Sequence, residues 1–476
     1  MINSNLTIGV FGIGLDVYWG QFEGLKTSLE SYLETLCLKF ADMPVRLVNA
    51  GIVDTVDKAF ETGKTFRQED VNIVFLYVGT YALSSTVLPV VQRLNVPVII
   101  LNLSPEDRID YDSFNSLNDR IQMTGTWLKY CSACPVPEIA NVFKRTGIKF
   151  YQVTGMLEND EEINKEIIEW VEAANVAHIM QNNRMGCMGN YYSGMLDIYT
   201  DLTLQIKYFG GHFELIEVEE LTAIKDRVTK EEVDNRVAEF REKFDIQPDC
   251  LPEELLRAAR TSVAMYKLIA KYQLGSFAYY HKGTGSQGNE DTMSSIILGN
   301  SLLTANGVPV AGEFEIKNAQ AMKIMDSFGA GGSFTEYYAM DYQDDVVLMG
   351  HDGPGHIAIA EGRTKVKPLQ VYHGKVGQGL SVEMAVKCGP VTCLSILEKG
   401  NGELMMLVAE GESVHGPILQ IGNTNSRYRF SVGARKFVND WNSYGPAHHC
   451  AVGVGHISSK LEKLSAILGM DMVKVC

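Results

Sequence analysis

Thr7-Ile8-Gly9-Val10-Phe11-Gly12-Ile13 and Pro97-Val98-Ile99-Ile100-Leu101-Asn102-Leu103 are short runs in which nearly every residue is apolar. A strand with one wet face alternates apolar and polar residues. Continuous apolar runs are instead buried on both faces, as in a parallel sheet covered by helices. The sequence around them agrees. Residues 45–50 and 71–78 read as two more strands. Residues 21–40 read as a helix, with Leu25, Leu29, Leu33 and Leu36 at helical spacing, and residues 56–66 as another. A second alternating region begins near Ile139: helices at 139–146 and 161–174, strands at 149–153 and 177–180. Long amphipathic helices follow at 229–243 and Pro252–Tyr272, then helices at 291–306 and 317–325. Past about Ser327 helical periodicity fades. Short strands bounded by glycine take over at 345–349, 367–372, 393–397 and 404–410, before a closing helix, Ser458–Leu468, and a strand at 471–475. The expectation is α/β: two doubly wound parallel-sheet domains, 1–145 and 146–327, then a β-rich, barrel-like domain, 328–476.

Composition narrows the function. Apolar residues make up 46% of the chain and charged residues 21%, an ordinary globular balance. The 42 Lys and Arg against 58 Asp and Glu leave a net charge of −16, which argues against a nucleic-acid partner. No apolar run is long enough to span a membrane, and Met1 to Asn5 lacks the basic flank of a signal peptide. With nine scattered cysteines, this reads as a reduced, cytoplasmic protein. Cys131 and Cys134 read as two free thiols, because no second pair stands at metal-site spacing. Gly9, Gly12 and Gly14 run G-x-x-G-x-G, not the dinucleotide order, and read as a tight strand-to-helix turn.

Seven of the ten histidines, His351, His356, His373, His415, His448, His449 and His456, lie in the β-rich last quarter. Histidine is the commonest metal ligand and a physiological proton carrier, so this crowding points to a site. Two carboxylates stand out with them. Glu313 precedes a helix read as amphipathic, where the helix dipole favours a carboxylate in any case. Glu336 follows the glycine-rich stretch from Gly329 to Ser333, where a solvated loop carboxylate is the plainer reading.

Four runs, in order, resemble the L-arabinose isomerase family. They are Ala311-Gly312-Glu313-Phe314-Glu315-Ile316-Lys317 (family A-G-E-G-x-W-K), Gly332-Ser333-Phe334-Thr335-Glu336-Tyr337-Tyr338 (T-S-F-M-E-D-Y), Met349-Gly350-His351-Asp352-Gly353-Pro354 (G-S-H-M-L-E) and Tyr444-Gly445-Pro446-Ala447-His448-His449-Cys450 (A-G-G-A-H-H-T). By position, the resemblance implies that Glu313, Glu336, His351 and His449 bind one divalent metal, Mn²⁺ or a similar ion such as Co²⁺ or Mg²⁺. It also implies a homo-oligomer, a hexamer in the family. The substrate-side segments depart: His351-Asp352-Gly353-Pro354-Gly355-His356-Ile357 replaces H-M-L-E-V-C-P, and the family's Q-T-A-H-G-G has no counterpart.

The resemblance implies a metal-dependent aldose–ketose isomerase for a free pentose or deoxyhexose. Two carboxylates and two imidazoles suit Mn²⁺ or Co²⁺ and leave places for two sugar oxygens. Glu313 and Glu336 would carry the proton between C2 and C1 through an enediol. Glu315 and Tyr337 are expected outside the ligand set, with Glu315→Gln changing turnover little, and His448 either orients the site or only packs. Two other classes stay open: a metal-dependent sugar lyase or aldolase, told apart by cleavage products, and a non-catalytic sugar-binding protein, which would not need the four ligands together.

Overall fold

The structure, a computed structural model, describes residues 6–369 and 377–476. It has two compact units, Met1–His178 and Ile179–Cys476.

The first unit is built on β1 (Thr7–Ile13), β2 (Arg46–Val53), β3 (Ile73–Tyr77), β4 (Val98–Ser104) and β5 (Phe150–Met156). They form one parallel sheet in the order β2-β1-β3-β4-β5. Every residue of β1 and β3 is buried, as the unbroken apolar runs required. The helix Leu25–Leu38 buries Leu25, Leu29, Leu33 and Leu36. Each buried leucine is worth roughly 2 kcal/mol of transfer free energy, which fixes the face the helix presents. The end of β1 and the turn after it are tight: a Cβ at Gly12, within the strand, would meet Ile52 at 2.6 Å, and one at Gly14 would meet the Trp19 ring at 2.7 Å. Cys131 and Cys134 are joined in a disulfide, not free thiols as their isolated spacing suggested.

Two helices differ from expectation. The helix Glu161–Gln181 runs through residues 177–180, expected as a strand, and the strand comes later as β6 (Arg184–Gly189). Ala177-His178-Ile179-Met180 is a short apolar run that periodicity alone assigns to neither class. The expected helix 291–306 is two helices, Gln287–Met293 and Ile297–Ala305. Ser295 caps the break, its hydroxyl donating to the Asp291 and Thr292 carbonyls, and Arg257 donates to the Ser294 hydroxyl.

The second unit holds a parallel sheet, in which β6 joins β7 (His212–Ile216), β9 (Ser276–Tyr280) and β10 (Val310–Ala311) in the order β10-β9-β6-β7; β8 (Asp245–Ile246) belongs elsewhere. The chain then forms β11 (Gly331–Asp341), β12 (Val346–His351), β13 (Lys365–Leu369), β14 (Gly379–Glu383), β15 (Gly389–Glu398), β16 (Leu404–Ser413), β17 (Thr424–Phe430), β18 (His449–Val454) and β19 (Asp471–Lys474). β14, β13 and β8 make a small sheet. His373 and the end of the strand expected at 367–372 lie outside the described residues. The other strands run β15-β18-β11-β12-β17-β16-β19, and β15 also pairs with β16, closing the antiparallel strands into a barrel. Its interior is packed with Val347, Met349, Leu407, Tyr428, Phe430 and Val452 among others. Two parallel sheets and a closed antiparallel one are the architecture the strand patterns implied. The helix Ile316–Ser327, expected to be amphipathic, is buried on nearly every face, including Lys317, Asn318, Gln320 and Lys323. Among the described residues, no helix is long and apolar enough to cross a membrane.

Candidate active site

All the residues singled out by the motifs lie in the second unit, and the barrel register aligns three of them. Glu336 on β11 stands opposite His449 on β18 and opposite Gly350 on β12, the neighbour of His351. Successive side chains alternate across a strand, so this register sends the Glu336 and His449 side chains to one face. Glu313 enters from the turn between β10 and the helix Ile316–Ser327. It and Phe314 both take left-handed backbone angles, φ 59° and 63°. Two consecutive non-glycine residues in that region are strained, and such strain collects at functional sites. Where the family runs carry glycine, this chain places Phe314, whose ring packs edge-on against Tyr191 at 4.9 Å.

Both histidines of the His448-His449 pair reach Glu313. His449 Nε2 lies 3.5 Å and His448 Nε2 3.7 Å from Glu313 Oε2, and His448 Nε2 is 4.0 Å from Glu336 Oε2. Each imidazole is held from behind by a carboxylate. His449 Nδ1–H donates to Glu315 Oε2 at 2.6 Å, with both residues only 1% exposed. His448 Nδ1–H donates to Asp197 Oδ2 at 2.6 Å, and the His448 backbone N–H donates to the same oxygen at 3.0 Å. Asp197 sits in the 3₁₀ turn Leu196–Ile198, its carbonyl accepting from Lys317 Nζ. His351 is buried at the end of β12; its N–H donates to Thr424 Oγ1 at 2.9 Å, and its ring meets Phe334 edge-on.

Glu313, Glu336 and His351 line a cavity of about 540 Å³ with Tyr192, Met195, Tyr337, Tyr338, Asp352, Leu419, Ile421 and Asn423. Burial pushes the Glu336 carboxyl up; His449 and His448 oppose this, while Glu313 and Asp352 add to it. Burial would lower His448, but the Glu313 and Asp197 carboxylates outweigh it and push the imidazole up to about 9. Burial likewise opposes the ionised form of Asp197, yet its bonds to His448 hold it below the usual carboxylate range.

The donor set suits a divalent cation. A carboxylate only accepts hydrogen bonds, so Glu315 fixes the proton of a neutral His449 on Nδ1 and leaves the Nε2 lone pair facing Glu313. His449 Nε2 is buried with no hydrogen-bond partner among the described residues, and a cation satisfies it. Glu313, His448 and His449 form a donor group whose ligand atoms lie within 4.8 Å of one another. Of the four ligands implied by the motifs, Glu313 and His449 are in this group, and Glu336 and His351 line the cavity beside it. Sequence reasoning missed Asp197 and expected Glu315 outside the ligand set, without foreseeing its hydrogen bond to His449. His356 lies outside the cavity lining, buried with Nε2 3.7 Å from Asp326.

Residues 331–471 match the family model of the L-arabinose isomerase C-terminal domain. The chain is related to the L-arabinose isomerases. It is 23% identical over 354 residues to the L-arabinose isomerase of Nocardioides sp., covering 71% of this chain and 68% of that protein. The Cellvibrio japonicus L-arabinose isomerase is 21% identical over 328 residues, 66% of this chain and 64% of that one. The Bacillus subtilis L-arabinose isomerase is 19% identical over 350 residues, 71% and 69% of the two chains. Among solved structures, the likeness to apo D-lactate dehydrogenase from Escherichia coli has a TM-score of 0.15 at 11% identity, covering 68% of this chain and 94% of that one, and carries no argument. The stretch that matches the L-arabinose isomerase domain contains Glu336, His351, His448 and His449, while Asp197, Glu313 and Glu315 precede it.

Proposed function

We propose that this chain is a metal-dependent aldose–ketose isomerase for a free sugar, a pentose or a 6-deoxyhexose. The observation that carries the reading is the pair of imidazoles, each held through Nδ1 by a carboxylate, with both Nε2 atoms converging on Glu313 beside a cavity that also holds Glu336. The names of the relatives support the same reaction class. Glu313, His449 and His448, with Glu336 and His351 beside them, would hold the ion, taken here as Mn²⁺ with Co²⁺ or Mg²⁺ as substitutes. When bound, the ion supplies Lewis-acid polarisation to two neighbouring sugar oxygens.

The rest of the chemistry belongs to the side chains. One carboxylate of the Glu313–Glu336 pair takes the C2 proton of the open-chain aldose while O1 gains a proton, giving the enediol. The proton returns to C1 as the O2 hydroxyl loses its own and becomes the ketone. Glu315 and Asp197 keep the two imidazoles oriented throughout. Glu313, Glu336 and Asp352 line the cavity, and its described lining holds no lysine or arginine. That charge disfavours a phosphate and leaves Tyr338, Asp352 and Asn423 to bind hydroxyls. The division into 1–145, 146–327 and 328–476, a homohexameric assembly and a cytoplasmic setting belong to the same proposal.

A screen of free sugars with Mn²⁺, read by ketose formation, tests it. Turnover of at least one free pentose or 6-deoxyhexose, lost on chelation, is the expected result. Turnover confined to sugar phosphates, or carbon–carbon cleavage in place of isomerisation, overturns it.

A further inference from the structure

Glu361, Cys388 and His415 come from three separate stretches of the second unit, and one ligand atom from each lies within 4.8 Å of the others. The backbone ties those stretches together. Ala360 and Val386 form an antiparallel bridge. Around it, the Glu361 N–H donates to the Ala385 carbonyl at 2.7 Å and the Lys387 N–H to the Ile359 carbonyl at 2.9 Å. Ser413, two residues before His415, donates its hydroxyl to the Val386 carbonyl at 2.9 Å, and the Val414 N–H donates to the Arg427 carbonyl at 2.9 Å. The Cys388 N–H donates to Glu361 Oε2 at 3.0 Å, so the carboxylate is turned toward the residue that carries the thiol. Glu361 and His415 are exposed and Cys388 is half-buried, so an ion can reach all three from solvent.

We propose that Glu361, Cys388 and His415 form a second metal site, for one Zn²⁺ or Co²⁺ ion, with water completing a four-coordinate shell. One thiolate, one imidazole and one carboxylate are borderline-soft donors that suit Zn²⁺ and Co²⁺, whereas Ca²⁺ and Mg²⁺ take oxygen shells. In a tetrahedral site with bonds of about 2.0–2.3 Å the donors stand about 3.5 Å apart, so side-chain rotations of about 1 Å close this cluster. Binding replaces the thiol proton, which passes to solvent. The site shares no residue with the proposed isomerase centre, and it alone contributes sulfur.

That sulfur makes the test specific. The metal-free full-length protein, with Cys388 a free thiol and the Cys131–Cys134 disulfide intact, is titrated with Co²⁺ while thiolate-to-cobalt charge-transfer absorption is recorded. The expected result is a band in the unsubstituted protein that saturates within about two equivalents, one of them taken by the isomerase centre, and that is absent in Cys388→Ser. In His415→Ala and Glu361→Gln it should need at least about tenfold more Co²⁺. His449→Ala should keep it, because the isomerase centre holds no thiolate. No band in the unsubstituted protein, or an undiminished band in Cys388→Ser, overturns the site. Should Cys388→Ser lose its fold by circular dichroism, a band with unchanged Co²⁺ dependence in His415→Ala overturns it equally.

Discussion

Glu315 follows Glu313 by two residues and, read as sequence, is one more glutamate of the kind helix starts favour. In the structure it is buried against His449 Nδ1, outside the donor group as expected but in a position to orient a ligand. Glutamine in its place can offer an N–H as readily as an oxygen, so the proton of His449 is no longer held on Nδ1. Glu315→Gln is therefore expected to weaken Mn²⁺ binding by about 10- to 100-fold while turnover at saturating Mn²⁺ stays near normal. Calorimetric titration measures the affinity, and an unchanged value removes the positioning role. Glu313→Gln and Glu336→Gln should behave in the opposite way, losing about 10²- to 10⁴-fold in turnover even at saturating Mn²⁺, because positioned proton transfer is gone. Near-normal turnover in both would place the chemistry elsewhere. Glu313, Glu336, His351 and His449 could be named as candidates from sequence because short motifs surround them. Asp197 was not: it stands 251 residues before His448, and no local spacing links the two.

Strands with unbroken apolar runs were the easiest elements to read, and β1 has the expected limits. β17 escaped notice because Thr424, Asn425, Ser426 and Arg427 are polar yet buried. Their side chains are taken up by local hydrogen bonds, such as Thr424 Oγ1–H to the His351 carbonyl and Arg427 to Asp344. Hydropathy cannot see a strand stabilised in that way. The fit of β17 against β12 is close at Gly350, where an added Cβ would lie 1.8 Å from the Thr424 carbonyl oxygen. Gly350→Ala must therefore push backbone, not a flexible side chain. The expected loss is about 1–3 kcal/mol or more by denaturant unfolding, with weakened Mn²⁺ binding because His351 is the next residue. Gly20, with nothing within 4 Å, supplies the contrast: Gly20→Ala should leave the midpoint unchanged. Equal midpoints for the two variants would mean that β12 and β17 have slack the packing does not suggest.

At the scale of the molecule, the second unit draws its site from Asp197, Glu313, Glu315, Glu336, His351, His448 and His449, so no short fragment contains it. The barrel has the same long-range character, since β18 is inserted between β15 and β11 although both precede it in the chain. A chain stopped after Ser443 lacks β18 and leaves β11 and β15 with open edges. Such edges pair with other chains. The expected outcome is a protein recovered mainly as aggregate that binds hydrophobic dye; a soluble monomer with one cooperative unfolding transition would show that the barrel does not need this strand. The same threading sets a timetable during synthesis. More than a hundred residues separate the end of β11 from the end of β18, which a ribosome takes roughly ten seconds to deliver. For that interval the nascent chain displays unfinished edges, and a factor that shields the growing polypeptide would raise the yield of this unit more than that of the first, whose sheet is complete once β5 has emerged.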